Sequence, residues 1–231
     1  MEFNKSLIKG KLIKRYKRFF VDVRINKEII TAHCPNTGSM KGLLDMDNEV
    51  FISKNDNPKR KLKYTLEIIK VKRNLVGVNT HFANKIAYHG LSNNLIKEVV
   101  NNDTIKPEVY FNKETRFDFF IEKKKKKIFV EVKNVTLFRD LKVAEFPDSI
   151  TTRGSKHLKT LIEAKEKGYE AYLLFLVQIQ GVESFKIAKD IDQEYYQNYL
   201  VAKKAGVRFL AYRCKISSKA IIVEKKIKIV S

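Results

Sequence analysis

Apolar and polar residues alternate in short bursts through the first part of the chain. Segments 18–25 and 29–34 flank Asn26, Lys27 and Glu28, a polar triplet of the kind that closes a hairpin. Segments 50–53, 66–72 and 75–78 repeat the strand pattern. Five short strands within residues 8–80 predict a small barrel, and an oligonucleotide-binding (OB) barrel is one such architecture. The pattern alone does not choose among barrel types. The character changes after Thr80. Leu95, Ile96, Val99 and Val100 recur at helical spacing and predict a helix over 91–101. Strands are expected over 116–122 and 128–135. A helix over 155–167 stops at Gly168, a residue suited to a C-cap. The nearly continuous apolar run 171–179 reads as a strand buried on both faces. Asp192 can cap a further helix that ends near Gly206, and 207–214 reads as a strand. The order α-β-β-α-β-α-β predicts an α/β domain with a mixed sheet. The expected division is residues 1–80 for the barrel and 81–231 for the α/β domain.

The chemistry concentrates on two of these strands, with sequences RFDFFIE (116–122) and IFVEVKNV (128–135). Alternation puts Phe129, Glu131 and Lys133 on one face and Ile128, Val130 and Val132 on the other. Asp118 shares a face with Arg116 and Phe120, opposite Phe117, Phe119 and Ile121. The expectation is one wholly apolar side and one charged side. A hairpin turning between Lys124 and Lys125 sets Asp118 directly across from Glu131. Directly opposed side chains have Cβ atoms about 4.5–5.5 Å apart. Two carboxylates that close repel each other unless a cation lies between them. Magnesium, or manganese in its place, suits such a pair, because it needs few protein ligands and keeps waters and substrate phosphates for the rest. Lys133 is placed to orient a water or to stabilise charge on a scissile phosphate. Glu98, on the predicted preceding helix, is a further carboxylate for the same cleft. The plainer reading is a surface ion pair, since Glu-x-Lys arises easily in a Lys-rich chain. The matching alternation of Asp118 brings the two readings level.

Charge widens the picture. Lys and Arg number 47 against 26 Asp and Glu, a net charge of +21. Such an excess implies a polyanionic partner, because phosphate contacts release counterions. Codon bias toward Lys would also raise Asn but would not suppress acids. The two cysteines, Cys34 and Cys214, are too few for a disulfide framework or a zinc site and are expected reduced and buried. The N-terminal segment lacks the apolar stretch of a signal peptide, and the longest apolar run, 171–177, is far too short to span a bilayer. A soluble cytoplasmic protein without membrane association is expected.

Several other residues are nucleic-acid candidates. Lys14, Arg15, Lys17 and Arg18 interleave with Tyr16, Phe19 and Phe20. Basic groups there suit phosphates, and Tyr16 is the better stacking face, since alternation should send Phe19 or Phe20 into the core. Arg153, Lys156 and His157 lie at the start of a helix, where free amides and positive potential favour a phosphate. Capping by Thr152 or Ser155, with solvated basic groups, is the alternative. Residues 33–39 have the small, polar character of a binding loop or a tight turn. His81 and Asn84 fall near the expected domain junction, although a structural histidine is the commoner finding at His33 or His81. No nucleophile elbow and no helix-turn-helix is evident.

Long stretches of the chain resemble the sugar fermentation stimulation protein A (SfsA) family. They are TAHCPNTGSMKGLL (31–44), VGVNTH (76–81), RFDF (116–119), VEVKNVTL (130–137) and FPDSITTRGSKHL (146–158). The resemblance implies an OB-like N-terminal barrel followed by a PD-(D/E)XK nuclease-like mixed-sheet domain, and DNA binding linked to sugar-use genes. In that nuclease pattern Asp118, Glu131 and Lys133 match the core motif, and Glu98 matches the acid of the first helix less securely. The pattern's leading proline is replaced by Phe117. The expected function is a nucleic-acid-binding protein with a divalent-metal-dependent nuclease site. The alternatives are a non-catalytic DNA-binding regulator of sugar-metabolism genes and, more distantly, a protein that associates with RNA.

Overall fold

The computed structural model describes residues 1–230. Short alternating segments satisfy their backbone groups only by pairing with one another. Strands β1 (Ile8–Tyr16), β2 (Phe20–Ile25), β3 (Glu28–His33), β4 (Glu49–Lys54) and β5 (Tyr64–Val71) do so by closing on themselves. β1 pairs antiparallel with β2 and β4, β2 with β3, and β4 with β5. One parallel bridge, His33 to Thr65, shuts the ring. The result is the five-stranded OB barrel, filled by Leu12, Val21, Val23, Val50, Ile52 and Leu66, all fully buried. A sixth strand, β6 (Asn74–Gly77), hairpins onto β5. The sequence pattern predicts β6 but not β1. Lysines at 9, 11 and 14 mask β1's alternation, and only Gly10 and Leu12 of this strand are buried.

After a 3-10 turn at Thr80–Phe82, helix α1 spans Ala83–Ser92. The helix expected over 91–101 is therefore displaced. Asn94 (φ 56°) takes the left-handed conformation that asparagine tolerates, and the Leu95 amide donates to the Gly90 carbonyl, which ends α1. Ile96 and Val99 are still buried, from a turn and a single 3-10 turn at Lys97–Val99. Helical spacing of apolar residues was met here by burial without a helix.

The remaining elements are β7 (Thr104–Tyr110), β8 (Arg116–Lys123), β9 (Lys126–Val135), β10 (Val143–Phe146), α2 (Thr152–Glu166), β11 (Glu170–Val177), β12 (Ser184–Ile187), α3 (Gln193–Lys204), β13 (Arg208–Ile216), β14 (Ile221–Lys226) and β15 (Lys228–Ile229). The main sheet runs β14-β13-β11-β9-β8-β7, with β11 parallel to both neighbours and the other pairs antiparallel. Strands β10, β12 and β15 make a small parallel sheet. β11 is buried on both faces as its apolar run requires. Leu173, Phe175 and Val177 join one core with α2 and α3, while Tyr172, Leu174 and Leu176 join the other with α1. Thr151, rather than Thr152 or Ser155, caps α2, its Oγ1 accepting from the Gly154 amide at 3.1 Å. Asp192 caps α3 by accepting from the Tyr195 amide at 2.8 Å. Gly168 and Gly206 follow the two helices with φ of 85° and 89°.

The barrel and the mixed sheet share a continuous core. The Gly77 amide donates to the Gln178 carbonyl and the Gln180 amide to the Leu75 carbonyl, both at 2.9 Å. Asn36 Nδ2 donates to Thr136 Oγ1 at 3.1 Å, which ties the 33–39 loop to the segment just after β9. Gly42 (φ 82°) packs so closely on the Phe138 carbonyl that a Cβ would lie 2.0 Å from its oxygen. Gly42→Ala should therefore lower stability by about 2 kcal/mol or more, from backbone strain and clash together. Urea denaturation checks this, and a loss near zero would show that the junction is loose.

Candidate metal and catalytic site

The lysine turn fixes the register of β8 on β9. Lys123 pairs with Lys126 and the ladder continues to Phe119 opposite Val130, the register expected from a turn at Lys124–Lys125. One step further the ladder stops. The Val132 amide donates to Asp118 Oδ2 at 2.7 Å, so a side-chain carboxylate takes the place of a strand carbonyl. β7 yields at the same level. Pro107 pairs with Phe119 and Val109 with Phe117, while Glu108 between them has φ 56°. Left-handed backbone at a non-glycine residue stores strain of the kind found at functional sites. From α1, Asn84 Nδ2 donates to Asp118 Oδ1 at 2.7 Å and lies 3.4 Å from Glu108 Oε1. Arg116 holds the other oxygen of Glu108 at 2.7 Å.

Glu131 is 3% exposed. Lys133 Nζ donates to its Oε1 at 2.8 Å, and His157 Nδ1 closes on the same oxygen. Lys133 and His157 are themselves 3.3 Å apart. Oε2 of Glu131 is buried without a hydrogen-bond partner among the described residues. Burial and then the Glu131 charge push the Asp118 carboxyl up to about 6. Burial also acts to raise Glu131, but Lys133 and His157 together overcome it and hold that carboxyl below its usual range. A buried and a half-buried acid of unequal acidity, with one orphaned oxygen, fit a hard divalent cation. Among the described residues no group of three or more His, Cys, Asp or Glu side chains is arranged to hold a metal ion. A two-carboxylate set suits an ion that retains waters and takes substrate phosphates, and is too small for a structural zinc.

Other sequence expectations need correction. Glu98 is not part of this cluster. It accepts from Tyr212 Oη at 2.7 Å and pairs with Lys226 at 2.6 Å. No α-helix forms over 91–101 to carry Glu98 into the cleft, and α1 brings the amide of Asn84 to Asp118 instead of an acid. The sheet has no open charged face either. Phe129 is buried against Phe117 and Phe120, and Glu131 and Lys133 lie beneath α2. Phe117 departs from the expected alternation: it packs on Phe129 while Phe119 and Ile121 join the opposite core, at the level where β8 stops pairing with β9. His157 is not a surface donor to phosphate but a buried partner of Glu131. Arg153 remains exposed, with Nε 3.4 Å from His157 Nε2, and Lys156 pairs with Glu114 at 2.8 Å.

In the barrel, Arg15 is structural, donating to the carbonyls of Arg18 and Asn36. Tyr16 is stacked on Phe20 and bonded to Asp22, so its ring is already engaged. Neither Phe19 nor Phe20 enters the core. Lys17 and Arg18 (φ 47° and 61°) form a tight turn that presents them and Phe19, 47% exposed, to solvent. No sequence pattern picks out Glu108, and Asn84 stands out only by its position near the junction. No local motif marks either, since both meet Asp118 through the tertiary fold.

A family model described as the SfsA N-terminal OB domain matches residues 13–78, and one described as the sugar fermentation stimulation protein RE domain matches residues 81–220. The chain belongs to the sugar fermentation stimulation protein family. A family member from Pelagibacter ubique, named a sugar fermentation stimulation protein homolog, is 79% identical over the whole of both chains. A homolog from Pseudoalteromonas atlantica is 44% identical over 98% of each. The solved structure described as Pyrococcus furiosus SfsA in complex with Ca2+ superposes with a TM-score of 0.88 at 26% identity. That match covers 100% of this chain and 98% of the other.

The raised Asp118 gives a pH test. Its carboxyl is more acidic unfolded than folded, so ionisation at this site weakens the fold. The penalty is absent below about 3.8, grows as pH rises, and is full above about 6. Without divalent metal, Asp118→Asn should be more stable than wild type by up to about 2 kcal/mol at pH 7.5, and the gain should vanish near pH 4. Urea unfolding in chelator at both pH values checks this. A difference that ignores pH would show that Asp118 carries no such penalty.

Proposed function

We propose that the protein is a divalent-metal-dependent nuclease acting on DNA, with Asp118 and Glu131 holding Mg2+ or Mn2+. The observation that carries the reading is the orphaned, buried Oε2 of Glu131 beside a second carboxylate that burial and then the Glu131 charge push up to about 6. Asp118 gains no stability from this arrangement without a cation, whereas Glu131 is already held by Lys133 and His157. A family member with Ca2+ bound, an ion that takes oxygen ligands as Mg2+ does, agrees with this assignment.

Bound there, the ion would supply Lewis-acid activation of water and neutralise charge on the scissile phosphate. The protein's own groups do the rest. Asn84 and the Val132 amide fix both oxygens of Asp118. His157 and Lys133 occupy one oxygen of Glu131 and leave the other free. Lys133, 12% exposed at its side chain, offers positive charge to a developing phosphorane. The exposed turn Lys17-Arg18-Phe19 and Arg153 are the residues assigned to hold the strand. Residues 1–80 are assigned the grip and residues 81–231 the cutting, in a protein working in the cytoplasm. No helix among the described residues is long and apolar enough to cross a membrane.

A cleavage assay over single-stranded, duplex and branched DNA, with RNA counterparts, tests the reading. Cleavage should require Mg2+ or Mn2+, stop with chelator, and fall by about 100-fold or more in Lys133→Ala and Glu131→Gln. Strong binding with no cleavage of any substrate would favour a non-catalytic regulator. The net charge of +21 also predicts that affinity drops about tenfold or more between 50 and 200 mM salt. Anisotropy titrations measure this, and an unchanged affinity would remove the electrostatic account.

A further inference from the structure

A second cleft, of about 670 Å³, opens where the seam between β3 and β5 meets the start of α1. It contains neither Asp118 nor Glu131. His33 enters from the end of β3, Arg60 from the β4–β5 loop, Lys54 from the end of β4, and His81 and Lys85 from the first turns after the barrel. Apart from Lys5, which pairs with Asp56, its basic side chains have no ion-pair partner among the described residues. Arg60 donates to Thr65 Oγ1 at 3.1 Å, and Arg60, Lys54, Lys85 and His81 form no ion pair among the described residues. Nδ1 of His33 is buried with no hydrogen-bond partner among the described residues.

The acids nearby answer this charge only weakly: Asp56 feels Lys54, and Glu67 feels Arg60 and His81, but none of these pairs is an ion pair among the described residues. Asp56 is taken by Lys5, and Glu2 sits on the wall formed by the N-terminal segment. Glu67 is 3% exposed, accepts from Ser53 Oγ at 2.6 Å and Asn79 Nδ2 at 2.8 Å, and is pushed up by burial. Through Asn79, whose Oδ1 accepts from the His81 amide at 3.1 Å, it sets the wall that carries His81. Basic side chains without ion-pair partners that line one cleft, with the buried Nδ1 of His33 among them, suit an anion, which can accept from several of them at once. A terminal phosphate offers three oxygens and nearly two negative charges, against one charge for an internal phosphodiester. Phe82, met edge-on by Phe3 at 6.0 Å, lies beside the same cleft. The cleft also connects to the carboxylates through one short segment. His81, Phe82 and Lys85 line it, while Asn84 among them holds Asp118.

We propose that this cleft seats the terminal phosphate of a nucleic-acid strand, so that cutting begins from phosphorylated ends. The proposal rests on the nuclease reading above. The test uses the full chain in chelator, where binding is measured without turnover. Fluorescence anisotropy compares single strands with a 5′-phosphate, a 3′-phosphate, two hydroxyl ends, and a hydroxyl-ended strand one nucleotide longer as the charge control. One phosphorylated end should bind at least about tenfold tighter than both hydroxyl strands. Millimolar inorganic phosphate should remove that advantage alone. Arg60→Gln, in a loop, and His33→Ala, which deletes a ring nitrogen without a partner, should each abolish the advantage and leave hydroxyl-end affinity nearly unchanged. Equal affinity for the phosphorylated strand and the longer hydroxyl strand would overturn the proposal, as would Arg60→Gln weakening all strands alike. A wild type that cuts circular strands as fast as linear ones would also overturn it while leaving the nuclease reading intact. Binding of no strand at all would remove both.

Discussion

Asp118, half-buried, and Glu131, buried, are two acids at the point where β8 parts from β9, and the surrounding structure is arranged around keeping them there. Like charges in a low-dielectric interior repel strongly, and each ion also loses hydration. The chain offsets this unevenly. Glu131 has Lys133 and His157 on one oxygen and stays acidic. Asp118 has two neutral donors and stands near 6. That asymmetry leaves a net negative site with one orphaned oxygen, which a hard cation would complete.

Other elements are explicable as means to this end. β9 is fixed by a parallel neighbour, β11, whose apolar run buries both faces. α2 is seated over Glu131 by a capped first turn, in which Gly154 fits against Thr151 and Tyr195 with no room for a side chain. The barrel is locked to the sheet by backbone hydrogen bonds at Gly77 and Gln180 and by Gly42 on Phe138. The turn after the barrel then delivers Asn84 to Asp118. A nucleic acid held by the barrel would thereby have a fixed relation to the carboxylates.

Much of this was legible in the sequence because it depends on local periodicity. The hairpin register followed from one symmetric lysine turn, and the ladder agrees with it from Lys123–Lys126 to Phe119–Val130, stopping just before the expected Asp118–Glu131 pair. The caps at Asp192, Gly168 and Gly206 were signalled by residue type. The sequence misled where tertiary packing replaced a local rule. Leu95, Ile96 and Val99 have helical spacing but reach the core from turns, which took Glu98 away from the site. Phe19 stays exposed because a turn with two left-handed residues breaks the alternation before it. His157 carries the same basic, helix-start signal as Arg153, and only the packing of α2 on β9 distinguishes a buried partner of Glu131 from a surface cation. Glu108 and Asn84 lack any motif, since their connection to Asp118 exists only in the folded chain.

The central claim is that the Asp118–Glu131 pair exists to hold a divalent ion. Calorimetric titration of Mn2+ into wild type and Asp118→Asn, without nucleic acid, tests it most directly. The account predicts one saturable site in the wild type and an affinity at least about tenfold weaker in the variant, because one of two anionic ligands is gone. Equal affinity in the two proteins would contradict it and reduce the carboxylates to a structural ion-pair cluster with Lys133 and His157.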